Sequence, residues 1–338
     1  MQVKMDFTRE VFSIRDEDSF NTVALKIFRY QAGTNNIYRK YTESAGICVE
    51  GISNWQEIPF MPIEFFKTHT IFCGADTPGR VFLSSRTTGT LASRHKIADL
   101  AVYDESLLRG FELSYGSPAD YQILGLVPSP DENPDSSLVY MVKSLMGKGT
   151  RTEHGFFMHD FRQLQTVLDN SNVSSGNVML IGLSYALLDF SLVCRGSYSG
   201  LIVMETGGMK GRHKELIREE LHKELCDGFG VEEIHSEYGM TELLSQAYSK
   251  GEGIFKCPPW MKILIREPND PFQLLPSGVP GGINIIDLAN WNTCSFIATQ
   301  DIGQAHDDGS FEVLGRFAYS DARGCNLMAG YETGSPTG

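Results

Sequence analysis

Short apolar runs alternate with amphipathic segments between residues 122 and 226, and this alternation constrains the fold more than any other feature of the sequence. The runs at 177–182 and 201–205 have the length of buried strands, and each precedes a segment of helical periodicity. The clearest helix is predicted at 212–226, where leucine and isoleucine recur every three to four positions between charged residues. Strands that alternate with helices predict an open, largely parallel sheet, which binds ligands at the C-terminal ends of its strands.

The sequence on either side of this region follows other patterns. Residues 1–55 favour interrupted helices, and the chain beyond Pro258 has Pro/Gly turns and short strands. We therefore predict a helical N-terminal segment at 1–55, an α/β core at 56–260 and a β-rich subdomain at 261–338.

Composition excludes several functions. The 338 residues are 41% hydrophobic and carry a net charge of −13, which indicates a globular protein and argues against binding to nucleic acid or anionic membranes. No apolar run approaches the about 20 residues needed to span a bilayer, and residues 1–10 lack the apolar stretch of a secretory signal. Seven cysteines without a Cys-x-x-Cys pair fit neither a disulfide framework nor a zinc site. These observations predict a cytoplasmic protein with reduced thiols, and they leave open whether it forms a homo-oligomer.

Two segments rich in hydroxyls and glycine each lie at the end of a likely strand. Residues 84–90 read SSRTTGT, and residues 236–242 read SEYGMTE. A backbone that turns at a strand end, with hydroxyls and free N–H groups, suits the binding of phosphate oxygens. Glu242 adds a carboxylate that could hold the divalent cation of a nucleotide triphosphate.

Together with a third segment near the C-terminus, these two segments resemble the motifs of the adenylate-forming superfamily, whose members activate carboxylic acids with ATP. Residues 84–89 match the phosphate loop except at Arg86, where the family has glycine, and residues 238–242 match the aromatic-Gly-x-Thr-Glu motif in full. Gln300 replaces a glycine of the ribose-binding stretch. The matching positions of that stretch are Thr299, Asp301, Gly315 and Arg316.

Within the superfamily, the chain looks most like the LuxE-like acyl-protein synthetases of the bacterial luminescence fatty-acid reductase complex. Local matches at 93–95, 205–210 and 323–325 support this narrower resemblance, which covers residues 55 to 328. It implies the large N-terminal domain of adenylate-forming enzymes: mostly parallel sheets flanked by helices, with a small β-rich C-terminal part. No lysine follows Lys262, so we expect no mobile C-terminal domain that supplies a lysine.

The resemblance also implies the cofactors, ATP and Mg²⁺, and the residues that hold them. Tyr238 would stack on adenine, and Asp301 would bind the ribose hydroxyls. Thr241 would act at the α-phosphate, and Glu242 would coordinate the metal. The implied ATP-binding positions are Ser84, Ser85, Thr87, Thr88, Gly89, Gly207, Gly208, Tyr238, Gly239, Asp301 and Arg316.

The implied activity has two steps. A carboxylic acid, with a fatty acid favoured, would be activated to acyl-AMP, and Cys325 would accept the acyl group as a thioester. An acyl reductase or another acyl-accepting protein would be the partner. Without a tail lysine, the phosphate charge would have to be met by Mg²⁺, Arg86, Arg316 or His95, or by another chain. Aromatic residues at 154–159 would line an acyl pocket or belong to the core.

Other interpretations stay open. Arg86 and Gln300 fit a catalytically weakened homologue that binds nucleotide or acyl groups, and Cys325 could be an ordinary apolar residue of the last strand. The segment 236–242 could instead cap a helix through a hydroxyl. Residues 182–186 approach a Gly-x-Ser-x-Gly elbow, so Ser184 with Asp301 and His306 would make a hydrolase, although a helix-capping Ser184 is the simpler interpretation.

Overall fold

The structure is a computed structural model that describes residues 5–74, 79–85, 91–149, 155–208 and 216–317. Its helices within these ranges are α1 Thr8–Val11, α2 Glu17–Thr34, α3 Asn36–Ser44, α4 Phe65–Thr68, α5 Leu100–Tyr115, α6 Ser137–Met146, α7 Phe161–Asn170, α8 Ser184–Ser191 and α9 Arg218–Phe229. Its strands are β1 Met61–Pro62, β2 Arg80–Leu83, β3 Arg94–Ile97, β4 Gln122–Leu126, β5 Gly155–Phe156, β6 Val178–Leu183, β7 Leu201–Thr206, β8 His235–Tyr238, β9 Ala247–Ser249, β10 Ile254–Phe255, β11 Met261–Glu267, β12 Asp270–Leu274, β13 Gly281–Asp287, β14 Phe296–Ala305 and β15 Phe311–Arg316.

A six-stranded sheet contains the predicted alternation of strands and helices. Its order is β5-β4-β6-β7-β8-β9, and all pairs are parallel except that of β8 with β9. Every residue of β4 and β6 is buried, as expected for strands covered on both faces. Leu183 pairs with Thr206, and Thr206 pairs with Glu237, so the C-terminal ends of β6, β7 and β8 lie along one edge. The prediction of a largely parallel sheet is therefore confirmed.

A second, mostly antiparallel sheet forms the C-terminal part of the described chain. Its order is β10-β15-β14-β13-β11-β12, and β1 joins it in parallel beside β14. The N-terminal helices pack on this sheet: Phe28 and Tyr38 contact the ring of Phe296, and Nε2 of Gln31 donates to the carbonyls of Asn290 and Trp291. The β-rich C-terminal part is thus confirmed, whereas the boundaries at 55 and 260 stay predictions.

Local sequence signals fix several element ends. The carboxylate of Asp99 accepts the N–H of Ala101 at 2.9 Å and starts α5, which ends at Gly116 with a φ of 81°. Residues 231–234 precede β8, which begins only at His235. No described helix is long and apolar enough to cross a membrane. The six cysteines that the structure describes are free thiols, as predicted.

Candidate functional site

The base of the predicted phosphate loop is a two-stranded hairpin of β2 and β3. Oγ of Ser84 accepts the N–H of Ser93 at 2.8 Å, and the N–H of Ser84 donates to the carbonyl of Ser93 at 3.1 Å. Ser85 is exposed at the start of the loop. The structure therefore defines where this loop leaves and rejoins the hairpin. The predicted loop residues Arg86, Thr87, Thr88 and Gly89 lie outside the described residues.

The second segment begins at the end of β8 and continues as turns, not as a helix. The helix-cap interpretation of residues 236–242 is therefore wrong: Ser236 is a buried strand residue, and no helix starts after it in this part of the described chain. A Cβ on Gly239 would lie 2.3 Å from Oε1 of Glu237, so a larger residue there would require the buried Glu237 carboxylate to move. Thr241, half-buried, and Glu242, buried, follow this glycine.

A buried histidine joins the two segments. Nδ1 of His95, on β3, donates to the carbonyl of Thr241 at 2.7 Å, and its Nε2 lies 2.9 Å from Oδ1 of Asn290 and 3.0 Å from Oγ1 of Thr293. The amide nitrogen of Asn290 in turn donates to the carbonyl of Glu242 at 2.7 Å. The predicted phosphate hairpin and the Thr241–Glu242 turn are thus connected through one network.

The expectation that His95 could supply positive charge is wrong. Burial lowers the pKa of His95 from 6.5 to about 4, although its hydrogen bonds to Thr241 and Asn290 oppose this shift. The ring is neutral at pH 7, and both of its nitrogens face protein groups. His95 therefore positions Thr241 and does not neutralise phosphate.

Glu242, the predicted metal ligand, is 5% exposed. Burial raises the pKa of its carboxyl group, while a hydrogen bond from Ser93 and the charges of Lys67 and Arg316 act in the opposite direction. Lys67 lies on α4, where Phe66 packs edge-on against His95 at 5.7 Å. Sequence reasoning missed Lys67, because no motif connects a lysine of this short helix with a glutamate 175 positions later.

The donor set around Glu242 fits a metal that is held mainly by a nucleotide. Among the described residues no group of three His, Cys, Asp or Glu side chains could hold a metal ion by itself. Mg²⁺ commonly takes one or two carboxylates and completes its octahedron with phosphate oxygens and water. One buried glutamate beside the phosphate hairpin matches that requirement.

The third segment meets the second at Tyr238. The hydroxyl of Tyr238 donates to Oδ2 of Asp301 at 2.9 Å, and Nε of Arg316 lies 3.6 Å from Oδ1 of the same carboxylate. Asp301 and Arg316 face each other in the β14–β15 register. Burial raises the pKa of Asp301, with Arg316 and the Tyr238 hydroxyl opposing the shift. The predicted ribose and adenine residues are therefore in direct contact.

The ring of Tyr238 is held in an aromatic cluster. It packs edge-on against Phe311 at 5.5 Å and against Phe255 at 5.9 Å, and only 8% of the residue is exposed. Its orientation is therefore fixed before any ligand binds. The predicted stacking of Tyr238 on adenine stays a prediction.

The glycines at the end of β7 lie on the same sheet edge. Gly207 has a φ of 70°, which favours glycine, and Gly208 has open space around the position of a Cβ. Both residues are exposed. Such a turn leaves room for a flat ligand next to the backbone, and the role of these glycines in an adenine pocket stays a prediction.

The hydrolase arrangement is not formed. Oγ of Ser184 lies 2.7 Å from Oε2 of Glu205 and 2.8 Å from the carbonyl of Gly207, and Ser184 is 2% exposed. His306 instead pairs with Glu312 at 3.1 Å, and Asp301 is engaged by Tyr238 and Arg316. The helix-cap interpretation of Ser184 is also wrong, because the N-cap of α8 is Leu183 and Ser184 is the first helical residue.

Two other predicted sites can be located only in part. Cys325 lies outside the described residues, and so does His154 of the predicted acyl pocket. Within 155–159, Phe157 is buried and His159 is exposed and paired with Glu132 at 2.9 Å. The described part of this stretch is thus divided between core and surface.

Solved structures with the same arrangement of strands and helices are ligases and related nucleotide-bound proteins. The 2-hydroxyisobutyryl-CoA ligase in complex with 2-HIB-AMP and CoA, in its thioesterification state, matches with a TM-score of 0.67 at 14% identity, over 89% of this chain and 68% of that chain. The open conformation of the same ligase matches with a TM-score of 0.65 at 13% identity, over 91% of this chain and 76% of that chain. This chain has the fold of adenylate-forming enzymes.

A second similar structure with the adenylate-forming fold is ATP-bound MatB from Rhodopseudomonas palustris, with a TM-score of 0.53 at 16% identity. The match covers 72% of this chain and 49% of that chain, so this chain spans about half the length of MatB. No protein-family model matches the sequence, and the search of curated proteins finds no match. Gly207, Tyr238 and Glu242 lie at the C-terminal edge of the parallel sheet, and their role in binding a nucleotide stays a prediction.

Proposed function

We propose that this chain is an ATP-dependent ligase that activates a carboxylic acid as its acyl-AMP. The observation that carries the proposal is the meeting of three segments that are far apart in the sequence. His95 joins the phosphate hairpin to Thr241, and Tyr238 joins the second segment to Asp301. Hydroxyls, a buried glutamate and a fixed tyrosine at one sheet edge form a set that suits a nucleotide triphosphate.

In the first step, a carboxylate oxygen of the acid attacks the α-phosphorus, and the bond from that phosphorus to the pyrophosphate oxygen breaks. The Thr241 hydroxyl would donate to the α-phosphate, and His95 holds the backbone carbonyl of Thr241. Asp301 accepts hydrogen bonds from the ribose hydroxyls, and the Tyr238 hydroxyl and Arg316 orient its carboxylate. Mg²⁺ bound at Glu242 would neutralise charge that develops on the phosphates.

In the second step, the thiolate of Cys325 attacks the acyl carbonyl and AMP leaves, after the thiol proton passes to water. This step and a fatty acid as the substrate rest on the resemblance to the LuxE-like acyl-protein synthetases. AMP is a good leaving group, and a thiolate is a strong nucleophile at neutral pH. The thioester would then pass its acyl group to an acyl reductase or another acyl-accepting protein.

The test is intact-protein mass spectrometry after incubation with Mg·ATP and a panel of carboxylic acids, with pyrophosphate release measured in parallel. We expect pyrophosphate release with one class of acid, and a mass gain of one acyl group that hydroxylamine removes. Cys325→Ser should abolish the adduct and keep pyrophosphate release, whereas Glu242→Gln should lower pyrophosphate release at least about tenfold by removing the metal ligand. Absence of pyrophosphate release with every acid would contradict the adenylation step.

A catalytically weakened binding protein is the second candidate. Arg86 and Gln300 replace glycines of the family motifs, and the carbonyl of Gln300 accepts the N–H of Phe317 at 2.9 Å, so the altered stretch is still ordered. ATP binding without pyrophosphate release would favour this candidate. Arg86→Gly should then restore release if the arginine side chain obstructs the phosphate loop.

A further inference from the structure

A buried arginine lies directly behind the ribose segment. Arg266, on β11, is 8% exposed, and its guanidinium reaches across β13 to β14. Nη1 donates to the carbonyl of Ile283 at 2.9 Å and to Oδ1 of Asn284 at 3.0 Å, and Nη2 donates to the carbonyl of Thr299 at 2.6 Å. One side chain therefore connects three strands.

These hydrogen bonds fill a bulge in the sheet. Gly282 pairs with Ile302 and Asn284 pairs with Ala298, so a single residue of β13, Ile283, faces residues 299–301 of β14. A bulge of this kind interrupts the ladder and leaves backbone groups without their regular partners. Arg266 supplies donors to two of those carbonyls, on Ile283 and Thr299.

The sheet leaves space for the guanidinium at Gly282. A Cβ on Gly282 would lie 2.6 Å from Cζ of Arg266, so any larger residue there would displace the arginine. The outer side of the guanidinium faces Phe317, whose ring centroid is 5.9 Å from Cζ. The arginine is therefore enclosed between Gly282 and Phe317.

The bulge leads directly to Asp301. The Thr299 hydroxyl donates to the carbonyl of Ile283 at 2.9 Å and accepts the N–H of Asp301 at 3.1 Å. The backbone that carries the Asp301 carboxylate is thus fixed through Thr299, which Arg266 holds from the other side.

We propose that Arg266 is a positioning residue for ribose recognition: it holds the 299–301 bulge so that the Asp301 carboxylate faces the ribose hydroxyls. This inference rests on the proposed function, since it assigns Arg266 to the nucleotide site. Lysine cannot replace it, because an ammonium group lacks the rigid fork that reaches three acceptors on two strands.

The experiment compares the Kd for ATP with the Kd for 2′-deoxy-ATP by calorimetry. In the unmodified protein, the hydroxyl bound by a carboxylate should favour ATP by about tenfold or more, and Asp301→Ala should remove this preference. Arg266→Lys should reduce the preference to about threefold or less. In the Asp301→Ala background, Arg266→Lys should cause no further change in the ratio.

Ile265→Val is the matched control. Ile265 is buried on the same strand and belongs to none of these hydrogen bonds, so its truncation should lower stability and leave the ratio unchanged. If Arg266→Lys does not fold, Asn284→Ala removes only one of the three acceptors and should give an intermediate ratio. A purely structural Arg266 would lower the Tm and keep the full preference for ATP, and that result would overturn the inference.

The two proposals fail in different ways. If the unmodified protein binds neither nucleotide, the proposed function fails and the role of Arg266 fails with it. If Asp301→Ala loses the preference and Arg266→Lys keeps it, the nucleotide site stands and only the role of Arg266 is wrong.

Discussion

His95 shows how burial changes what a residue can do at this site. Its type and its place behind the phosphate loop suggest a charged group, but its surroundings keep the ring neutral. A neutral imidazole can still orient a backbone carbonyl, and that is the contact it makes with Thr241.

The neutrality of His95 predicts how stability depends on pH. The folded pKa of about 4 lies below the unfolded value of 6.5, so the unfolded state binds the proton more tightly. The contribution of neutral His95 to the free energy of unfolding is therefore complete above about pH 6.5 and is lost as the pH falls toward 4. This contribution is on the order of 3 kcal/mol at most. Urea denaturation at a series of pH values from 7 to 4 measures this loss of stability.

His95→Gln should flatten this dependence, because glutamine does not titrate. His69→Gln, at an exposed histidine, serves as the control and should keep the profile of the unmodified protein. A profile that is the same for all three proteins would rule out a contribution from His95.

Sequence reasoning identified the residues that belong to local motifs and missed those defined by distant contacts. Tyr238, Glu242 and Asp301 could be named because a short pattern contains each of them. Lys67 and Arg266 could not, because their partners lie in other elements, between 17 and 175 positions later in the chain. An isolated lysine or arginine has no local signal that distinguishes it from a surface charge.

At the scale of elements, Ser184 at the junction of β6 and α8 stabilises a buried carboxylate of the neighbouring strand. Ser184 begins the helix and donates to Glu205, a buried carboxylate of the neighbouring strand. Burial alone would raise the pKa of Glu205, but hydrogen bonds from His222 and Ser184 and the charge of Arg218 bring it below its ordinary value. The serine therefore helps to keep this buried carboxylate ionised.

Ser184→Ala should lower the free energy of unfolding by about 1–3 kcal/mol, because Glu205 loses a donor inside the protein. Chemical denaturation measures this loss. Neither the unmodified protein nor the variant should react with a fluorophosphonate. Ser245→Ala, which removes the hydroxyl that donates to buried Asp287, offers a comparison of the same size on another element. Labelling of Ser184 in the unmodified protein would reopen the hydrolase interpretation.

The alternation of strands and helices could be predicted because it depends on the local period of apolar residues. The start of β8 at His235 could not be predicted. Pairing with β7 and β9 defines that strand, and pairing partners are invisible in a local pattern. The start of α8 could not be predicted for the same reason, because the helix can begin only where β6 ends.

At the scale of the whole molecule, the candidate site is assembled from three sheets, because the β2–β3 hairpin provides Ser84 and His95. The parallel sheet provides Tyr238 and the antiparallel sheet provides Asp301, and a single hydrogen bond of 2.9 Å joins the two side chains. The geometry of the proposed nucleotide site therefore depends on how the sheets are held together.

Tyr238→Phe tests this junction and removes only the hydroxyl. We expect about three- to tenfold weaker ATP binding, which corresponds to the usual net value of one hydrogen bond, and a modest fall in Tm, because Asp301 loses a donor. Calorimetric titration with ATP measures this change in affinity. Tyr248→Phe is a suitable control, because the Tyr248 hydroxyl is buried without a hydrogen-bond partner among the described residues. Unchanged affinity in Tyr238→Phe would show that the carboxylate of Asp301 is oriented without this contact.

The attachment of α2 to the antiparallel sheet has a consequence for synthesis. Gln31 bonds to the carbonyls of Asn290 and Trp291, about 260 positions later in the chain. During translation, the first long helix must wait for nearly the whole polypeptide before its buried glutamine finds these partners, so the part of its apolar face that packs on the antiparallel sheet stays uncovered until then. A nascent chain halted before residue 290 should therefore be a good substrate for chaperones, and the released full-length protein should not.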